Sequence, residues 1–300
     1  SKILDPHQLC SFRICWKILF GRKKIFNIKS KKYLAFILKE QISLLKEISK
    51  NPNNFYRFTS KTIEKNGKIK VRHIQEQNVT LKPIHRKIHL LLSEIVPPDY
   101  LFSKKKSSCV LNAKAHADCH GSTLNIDLEN FFPSTSRTHV QNFFGYFLQY
   151  PRDVAEFMAS ICTVNNQIPI GSPLSSILAF WSNKPMFDEL DRLAASRKIK
   201  MTVYVDDISF TGVAVNDSFK NKIQVIINSY KHQINPNKIK FFGEKIKFIN
   251  GISISKNGLS PSNQLSNEIR KLKKLNDRQG INTLNGKLAY INYIKSINSL

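Results

Sequence analysis

The run Met201-Thr202-Val203-Tyr204-Val205-Asp206-Asp207-Ile208-Ser209-Phe210-Thr211 sets two adjacent carboxylates between two β-prone stretches. Paired acids at a hairpin tip are, in most proteins, a solvated turn, so the pair alone says little. A second stretch changes its weight: Thr123-Leu124-Asn125-Ile126-Asp127 is an apolar strand ending in acid. If the two strands are neighbours, Asp127, Asp206 and Asp207 gather carboxylate oxygens at one place in an otherwise cationic chain. Mg²⁺ prefers such hard oxygen ligands. Two such ions about 3.5–4 Å apart can stabilise the attacking and leaving oxygens of an in-line phosphoryl transfer.

The rest of the chain says what that chemistry acts on. Its 300 residues carry 47 Lys and Arg against 21 Asp and Glu, a formal net charge of +26. This excess is spread through nearly every segment, which implies a polyanionic partner followed over an extended surface, as a nucleic-acid backbone would be. A membrane partner is not expected, because the chain has no run of the roughly 18 apolar residues that a spanning helix needs. Asp5, His7, Gln8, Arg13 and Lys17 interrupt any signal-peptide core, so the cytosol is the simplest expected compartment. Five cysteines (Cys10, Cys15, Cys109, Cys119, Cys162) form no CxxC pair, which argues against a disulfide framework. Cys109, His116, Cys119 and His120 match no usual zinc spacing. His85 and His89 lie i, i+4, but Arg86 stands where a zinc-protease motif has Glu, so they read as two residues of a helix face.

The elements that must position the acids follow from periodicity. Leu34, Ile37, Leu38, Ile42, Leu45 and Ile48 recur at helical spacing within a region, residues 1–50, that reads as helical and stops at Asn51-Pro52-Asn53-Asn54. Phe55–Thr59 and Lys68–Ile74 predict a hairpin around Lys65-Asn66-Gly67. A helix is expected from Leu81 to Ile95, helices over 135–162, and a helical stretch after Pro169–Pro173 that Pro185 breaks or restarts. Strands are expected at 239–243 and 246–254, then helices from 262 onward with core stripes Leu265, Ile269, Leu272, Leu275 and Leu284, Leu288, Ile291, Ile294, Ile297. The pattern is α+β, with one acid-bearing sheet at its centre.

These segments resemble a known family. Tyr204-Val205-Asp206-Asp207 looks like the YxDD motif of reverse transcriptases, Asn125–Ser134 like their first aspartate motif, and Ile168–Ser176 like the LPQGxPxSP motif between the two. Order and spacing agree over roughly residues 55–255. Asn112-Ala113-Lys114-Ala115-His116 is similar to the NAxxH motif of bacterial retron reverse transcriptases, and Phe248–Ile252 stands where they carry VTG. Two positions depart from the pattern. Asn250 replaces the family threonine, so its amide must replace any contact of that hydroxyl, and Ile170 stands where the family has Gln.

The resemblance implies a right-hand polymerase: N-terminal helices and fingers over 1–120, mainly palm over 121–255 with finger-side helices around 135–162, and a helical thumb over 256–300. It implies RNA-templated DNA synthesis with two Mg²⁺ ions on Asp127, Asp206 and Asp207, from deoxynucleoside triphosphates. Arg72 and Lys70 would neutralise the triphosphate, Phe132 would be the gate against a ribose 2′-OH, and Lys238 would protonate pyrophosphate. Asn112, His116, Lys271, Lys273 and Lys274 would hold a structured noncoding RNA that serves as template and primer, priming from an internal 2′-OH. The DNA product and a separate effector protein complete the implied complex, in phage defence. Each role has a bland counterpart: Arg72 a surface charge, Phe132 core, Lys238 a turn residue, His116 a buried structural histidine. Competing readings are another bacterial reverse transcriptase (group II intron, diversity-generating or abortive-infection type), an RNA-dependent RNA polymerase, and an inactive RNA-binding scaffold. The RNA polymerases commonly have GDD where Tyr204-Val205 precedes the acids here, and would not want Phe132 against ribose.

Overall fold

The structure, a computed structural model, describes residues 24–26, 28–65, 68–103, 108–273 and 278–298. They divide into two compact units, one of residues 1–96 and 130–184, the other of 97–129 and 185–300.

In the first unit, of the helical region expected over 1–50, residues 1–23 lie outside the described residues, and the part from residue 31 onward forms two helices, Lys31–Leu38 and Ile42–Lys50. The break falls at Lys39, which takes a left-handed φ of 52° and donates its N–H to Ala35 and Phe36 as a C-cap. The apolar spacing runs across it because both helices bury one stripe: Leu34, Leu38, Leu45 and Ile48 are fully buried. A hairpin follows, β1 (Tyr56–Lys65) and β2 (Lys68–Gln77), paired from Tyr56↔Gln77 to Lys65↔Lys68. Both strands run further than their sequence signal, since ladder bonds carry polar residues that propensity leaves undecided. Helix Leu81–Ser93 follows it in the chain and buries Ile84, His85, Ile88 and Leu92. His85 sits 2.8 Å from the Ser172 hydroxyl and 2.9 Å from the Ile161 carbonyl, joining three segments of this unit. Helices Arg137–Asn142, Arg152–Cys162 and Ser175–Ser182 complete the unit, with Phe143, Phe144, Phe147, Phe180 and Trp181 in mutual ring contact at its centre.

The second unit is built on an antiparallel sheet in the order β4-β5-β3-β6, from β3 (Ser122–Asp127), β4 (Lys200–Tyr204), β5 (Asp207–Gly212) and β6 (Lys240–Phe242). Tyr100–Phe102 covers the outer edge of β4 through Val203 N–H to Tyr100 (2.7 Å) and Phe102 N–H to Val203 (2.9 Å). Helix Asp217–Ser229 packs Phe219 edge-on to Phe210 of β5. Gly121, just before β3, lies so close to the Gly212 backbone that a Cβ there would meet it at 2.4 Å, and its φ of 93° also demands glycine.

The sequence predicts one strand over 246–254, but the structure folds it into a hairpin, β7 (Ile246–Ile249) and β8 (Ile252–Ser255), and adds β9 (Gly258–Pro261). Asn250-Gly251 makes the bend with φ of 48° and 78°, the pair of left-handed residues that a two-residue hairpin loop of this twist requires. Ile249, Ile252, Ile254 and Leu259 form a core with Val110 and Ala113 of helix Ser108–Lys114 and with Ile294 and Ile297 of helix Arg278–Asn298. Of the two C-terminal stripes, Ile269, Ile294 and Ile297 are buried, while Leu265, Leu272, Leu284, Leu288 and Ile291 are only half-buried. No helix among the described residues is long and apolar enough to cross a membrane.

Candidate active site

The sheet brings the three acids together by register. β3 and β5 run antiparallel with Asp127 directly opposite Asp207, and Tyr204 of β4 faces Asp207 from the other side. Asp206 occupies the two-residue turn between β4 and β5, its carbonyl accepting the Leu128 N–H at 3.0 Å. Val205, the other turn residue, has a φ of 61°. For a β-branched side chain this is a strained conformation, costing on the order of 1–3 kcal/mol, of the kind that clusters at functional sites.

Asp127 is 6% exposed, and the Lys238 ammonium donates to its Oδ1. Lys238 is placed by a turn at Asn235-Pro236, where the Asn235 N–H binds the Asp127 carbonyl at 2.8 Å and the Asn235 side chain caps the Asn237 N–H at 3.1 Å. The carboxylates repel one another. Lost hydration first, then the charges of Asp206 and Asp127, push the Asp207 carboxyl up to about 6, against the pull of Lys238 and Lys240. Burial alone would lower the Lys238 ammonium, but its bond to Asp127 and the charges of the three acids hold it above the ordinary lysine value. The donor set is hard oxygen with surplus negative charge, which suits Mg²⁺. As they stand, the acids do not form a finished three-ligand cage among the described residues, and the ammonium of Lys238 supplies the cation at Asp127.

The other expected site residues divide between the units. In the first, Arg72 is exposed on β2 opposite Lys61, two cations side by side. Lys70 lies two residues before it on β2. Phe132 is half-buried beside Phe131 at a ring separation of 5.9 Å. At Ile170, where the resemblance expects Gln, the backbone N–H binds the Gln75 side chain at 2.7 Å and the carbonyl accepts the Gln75 N–H at 2.8 Å. The turn before Pro173 is thus tied to the base of the hairpin by backbone groups that any residue supplies.

In the second unit, Lys271 and Lys273 are exposed at the end of helix Asn263–Leu272, and Lys274 lies outside the described residues. Asn112 and His116 lie in the interior. His116 is wholly buried, 2.8 Å from the Thr211 hydroxyl of β5 and 2.8 Å from the Thr202 hydroxyl of β4. Thr211 in turn meets Thr123 of β3 at 2.8 Å, so one imidazole ties together the strands that carry the acids. Asn112 is 1% exposed and donates to the Asn250 side chain. The direct RNA contact expected of these two residues has no exposed side-chain surface to work through. Asn250, where the family has threonine, gives Asn112 its acceptor. Asn125 of β3 also escapes sequence reading: its amide donates to the Phe248 carbonyl at 2.5 Å and so links the acid-bearing sheet to β7. Its place inside Asn125–Ser134 is the only signal that could have found it.

Comparison with known proteins follows the same lines. No family model matches. The chain is 29% identical over 223 residues to the Retron Ec86 reverse transcriptase of Escherichia coli, covering 72% of this chain and 68% of that protein. It is 29% identical over 148 residues to the Retron Ec48 reverse transcriptase of the same organism and 28% over 181 residues to the Retron Se72 reverse transcriptase of Salmonella heidelberg. It spans only 36% and 46% of those two proteins. In fold it is similar to apo telomerase from Candida tropicalis, with a TM-score of 0.50 over 74% of this chain and 61% of that one at 12% identity. Three retron reverse transcriptases in sequence and the telomerase in fold are what this chain resembles; they agree with the acid-bearing antiparallel sheet and support a reverse transcriptase of the retron type.

Proposed function

We propose that this chain synthesises single-stranded DNA on a structured noncoding RNA by two-metal nucleotidyl transfer, with Asp127, Asp206 and Asp207 at the reacting phosphate. The observation that carries the proposal is the β3–β5 register, which sets Asp127 opposite Asp207 with Asp206 in the strained turn beside them. Bound there, Mg²⁺ would lower the nucleophile's pKa and stabilise charge on the leaving oxygen. Asp127 and Asp206 would hold it, Asp207 would add charge, and Lys238 would move from Asp127 to the pyrophosphate side, where its ammonium can deliver a proton. Arg72 and Lys70 are assigned to the triphosphate charge, and Phe132 to the choice of deoxyribose. The first unit would then be mainly fingers, the β3–β6 sheet the palm, and the C-terminal helices the thumb, with Lys271, Lys273 and Lys274 gripping the RNA. The relatives' names support the retron type; priming of the RNA from an internal 2′-OH, the bacterial cytoplasm, a separate effector and a role in phage defence are proposed from the motif resemblance alone.

The test is Asp206→Asn in a primer-extension assay with Mg²⁺, alongside RNA binding. A loss of at least about a thousandfold in rate, roughly 4 kcal/mol of barrier, is expected with RNA affinity kept. Near-normal extension by the variant would falsify the assigned site. Sequencing the nucleic acid that co-purifies with the protein tests the finer reading, since covalent RNA–DNA hybrids support it and their absence from an active preparation removes it.

A further inference from the structure

The first unit also holds an open cavity of about 320 Å³ whose lining residues, Pro52 apart, are polar or basic. One wall is the end of helix Ile42–Lys50 with the turn after it; the other is Arg137 with Ser160, Thr163 and the 165–166 turn. Asparagines occupy both rims, at 51, 53 and 54 and at 165 and 166, and no carboxylate lines the space. Ser160 and Thr163 are buried at the floor with their hydroxyls donating to the Glu156 and Ala159 carbonyls at 2.8 and 2.7 Å, which leaves their lone pairs toward other donors. Arg137 is half-buried and donates one N–H to Ser160, so most of its five donors remain to be used. The far rim is preformed: Asn165 and Asn166, at φ of 50° and 59°, are locked by reciprocal Val164–Gln167 bonds of 3.0 Å.

Two cations facing one polar cavity need an explanation. Lys50 gains some stabilisation at the C-terminal end of its own helix, but Arg137 does not, and neither makes an ion pair among the described residues. An anion of nucleotide size fits the volume and the charge. Phosphate is held by Arg and Lys, while Asn amides offer a donor and an acceptor to a sugar hydroxyl or a base edge. Unpaired RNA presents all three groups at once.

We propose that this cavity binds a backbone phosphate of single-stranded RNA through Lys50 and Arg137, with the rim asparagines on the adjoining ribose and base. The inference rests on the reading of the chain as an enzyme that handles RNA, and it adds an RNA contact in the unit that does not carry the acids. It is tested with Lys50→Gln, Arg137→Gln and the double variant, by fluorescence anisotropy with a labelled single-stranded RNA of mixed sequence over a series of salt concentrations. The double variant is expected to bind roughly tenfold more weakly, and its slope of log affinity against log salt to fall by about 0.7, the loss of one phosphate contact on a single strand. Unchanged affinity and slope in a double variant with a normal thermal melt overturn the proposal. If Arg137→Gln misfolds, the exposed Lys50→Gln decides alone, with about a threefold loss expected and no loss overturning it. Inorganic phosphate is a separate arm: if it raises the melting midpoint of the wild type only, while RNA affinity is equal in wild type and variant, the cavity is a small-anion site and the RNA assignment is wrong. Failure of the wild type to bind RNA at all overturns the polymerase reading and this inference with it, whereas failure of Asp206→Asn to lose activity touches the polymerase site alone.

Discussion

Acid should unfold this protein through two buried histidines, and His116 allows the cause to be isolated. Burial, with smaller contributions from the charges of Lys200 and Lys247, lowers the His116 imidazole to about 3. Burial likewise lowers His85 to about 4, against the hydrogen bond it donates to the Ile161 carbonyl. An unfolded histidine titrates near 6.5. Between that value and the folded one, the unfolded chain binds a proton that the folded chain refuses, so stability falls as pH falls. The penalty is absent above about pH 7, grows by about 1.4 kcal/mol per pH unit for each histidine, and levels off below the folded value. At full extent it reaches roughly 5 kcal/mol for His116 and roughly 3 for His85, against a total of about 5–15 for a typical domain. The assay is urea unfolding of wild type and His116→Gln at steps from pH 7.5 to 4.5. His116→Gln should be less stable at pH 7.5, by about 1–3 kcal/mol, because Thr202 and Thr211 lose a matched partner. Its pH slope below 6 should be shallower than that of the wild type by about 1.4 kcal/mol per unit. Equal slopes would show that His116 is not the buried neutral link between the strands.

The remaining predictions concern register, sugar choice and RNA. Gly121→Ala should destabilise the protein by about 3 kcal/mol or more and depress polymerisation with it, because the added Cβ collides with the Gly212 backbone where β3 begins its pairing; a melt within a degree of wild type would contradict the close approach. Phe132→Val should admit ribonucleotides while deoxynucleotide incorporation stays measurable, read by primer extension with the two triphosphate types; unchanged discrimination would return Phe132 to a packing role. Neutralising Lys271, Lys273 and Lys274 together should impair synthesis on the cognate RNA far more than extension of a generic primer–template, and equal losses would remove their RNA-specific role.

Much of the site was legible because its parts are local in sequence. Alternation finds the strands that end in acid and the resemblance supplies the YxDD turn and the order of the motifs; antiparallel pairing of β3 with β5 then brings Asp127 to Asp207. Lys238 was named only through the family resemblance, because its bond to Asp127 spans 111 residues of sequence. The misses share a different cause. Asn250-Gly251 is a strong hairpin signal, yet the apolar residues on either side read as one strand, because both halves of that hairpin face the same core around Ile249 and Ile252. Lys39 breaks a helix whose apolar period continues unbroken, since period reports which face is buried and not whether the backbone is continuous.

Asn112 and His116 show where motif reasoning stops. A motif records that residue types recur together, but two polar residues in a nucleic-acid enzyme can serve either the substrate or the scaffold that aims at it. Burial decides between these, and burial depends on contacts far away in the chain: Thr202 and Thr211 for His116, Asn250 for Asn112. The pairing gives the Asn250 departure a physical sense. Its amide offers an oxygen to Asn112 at the tip of the β7–β8 hairpin, a position that also demands a left-handed backbone, and asparagine meets both demands better than the β-branched threonine it replaces. The VTG-like and NAxxH-like segments are therefore one structural joint, which Asn125 extends to the acid-bearing strand through Phe248. A substitution in any member should act on the acids through strand position, lowering stability and turnover together, whereas a lost RNA contact would weaken binding alone.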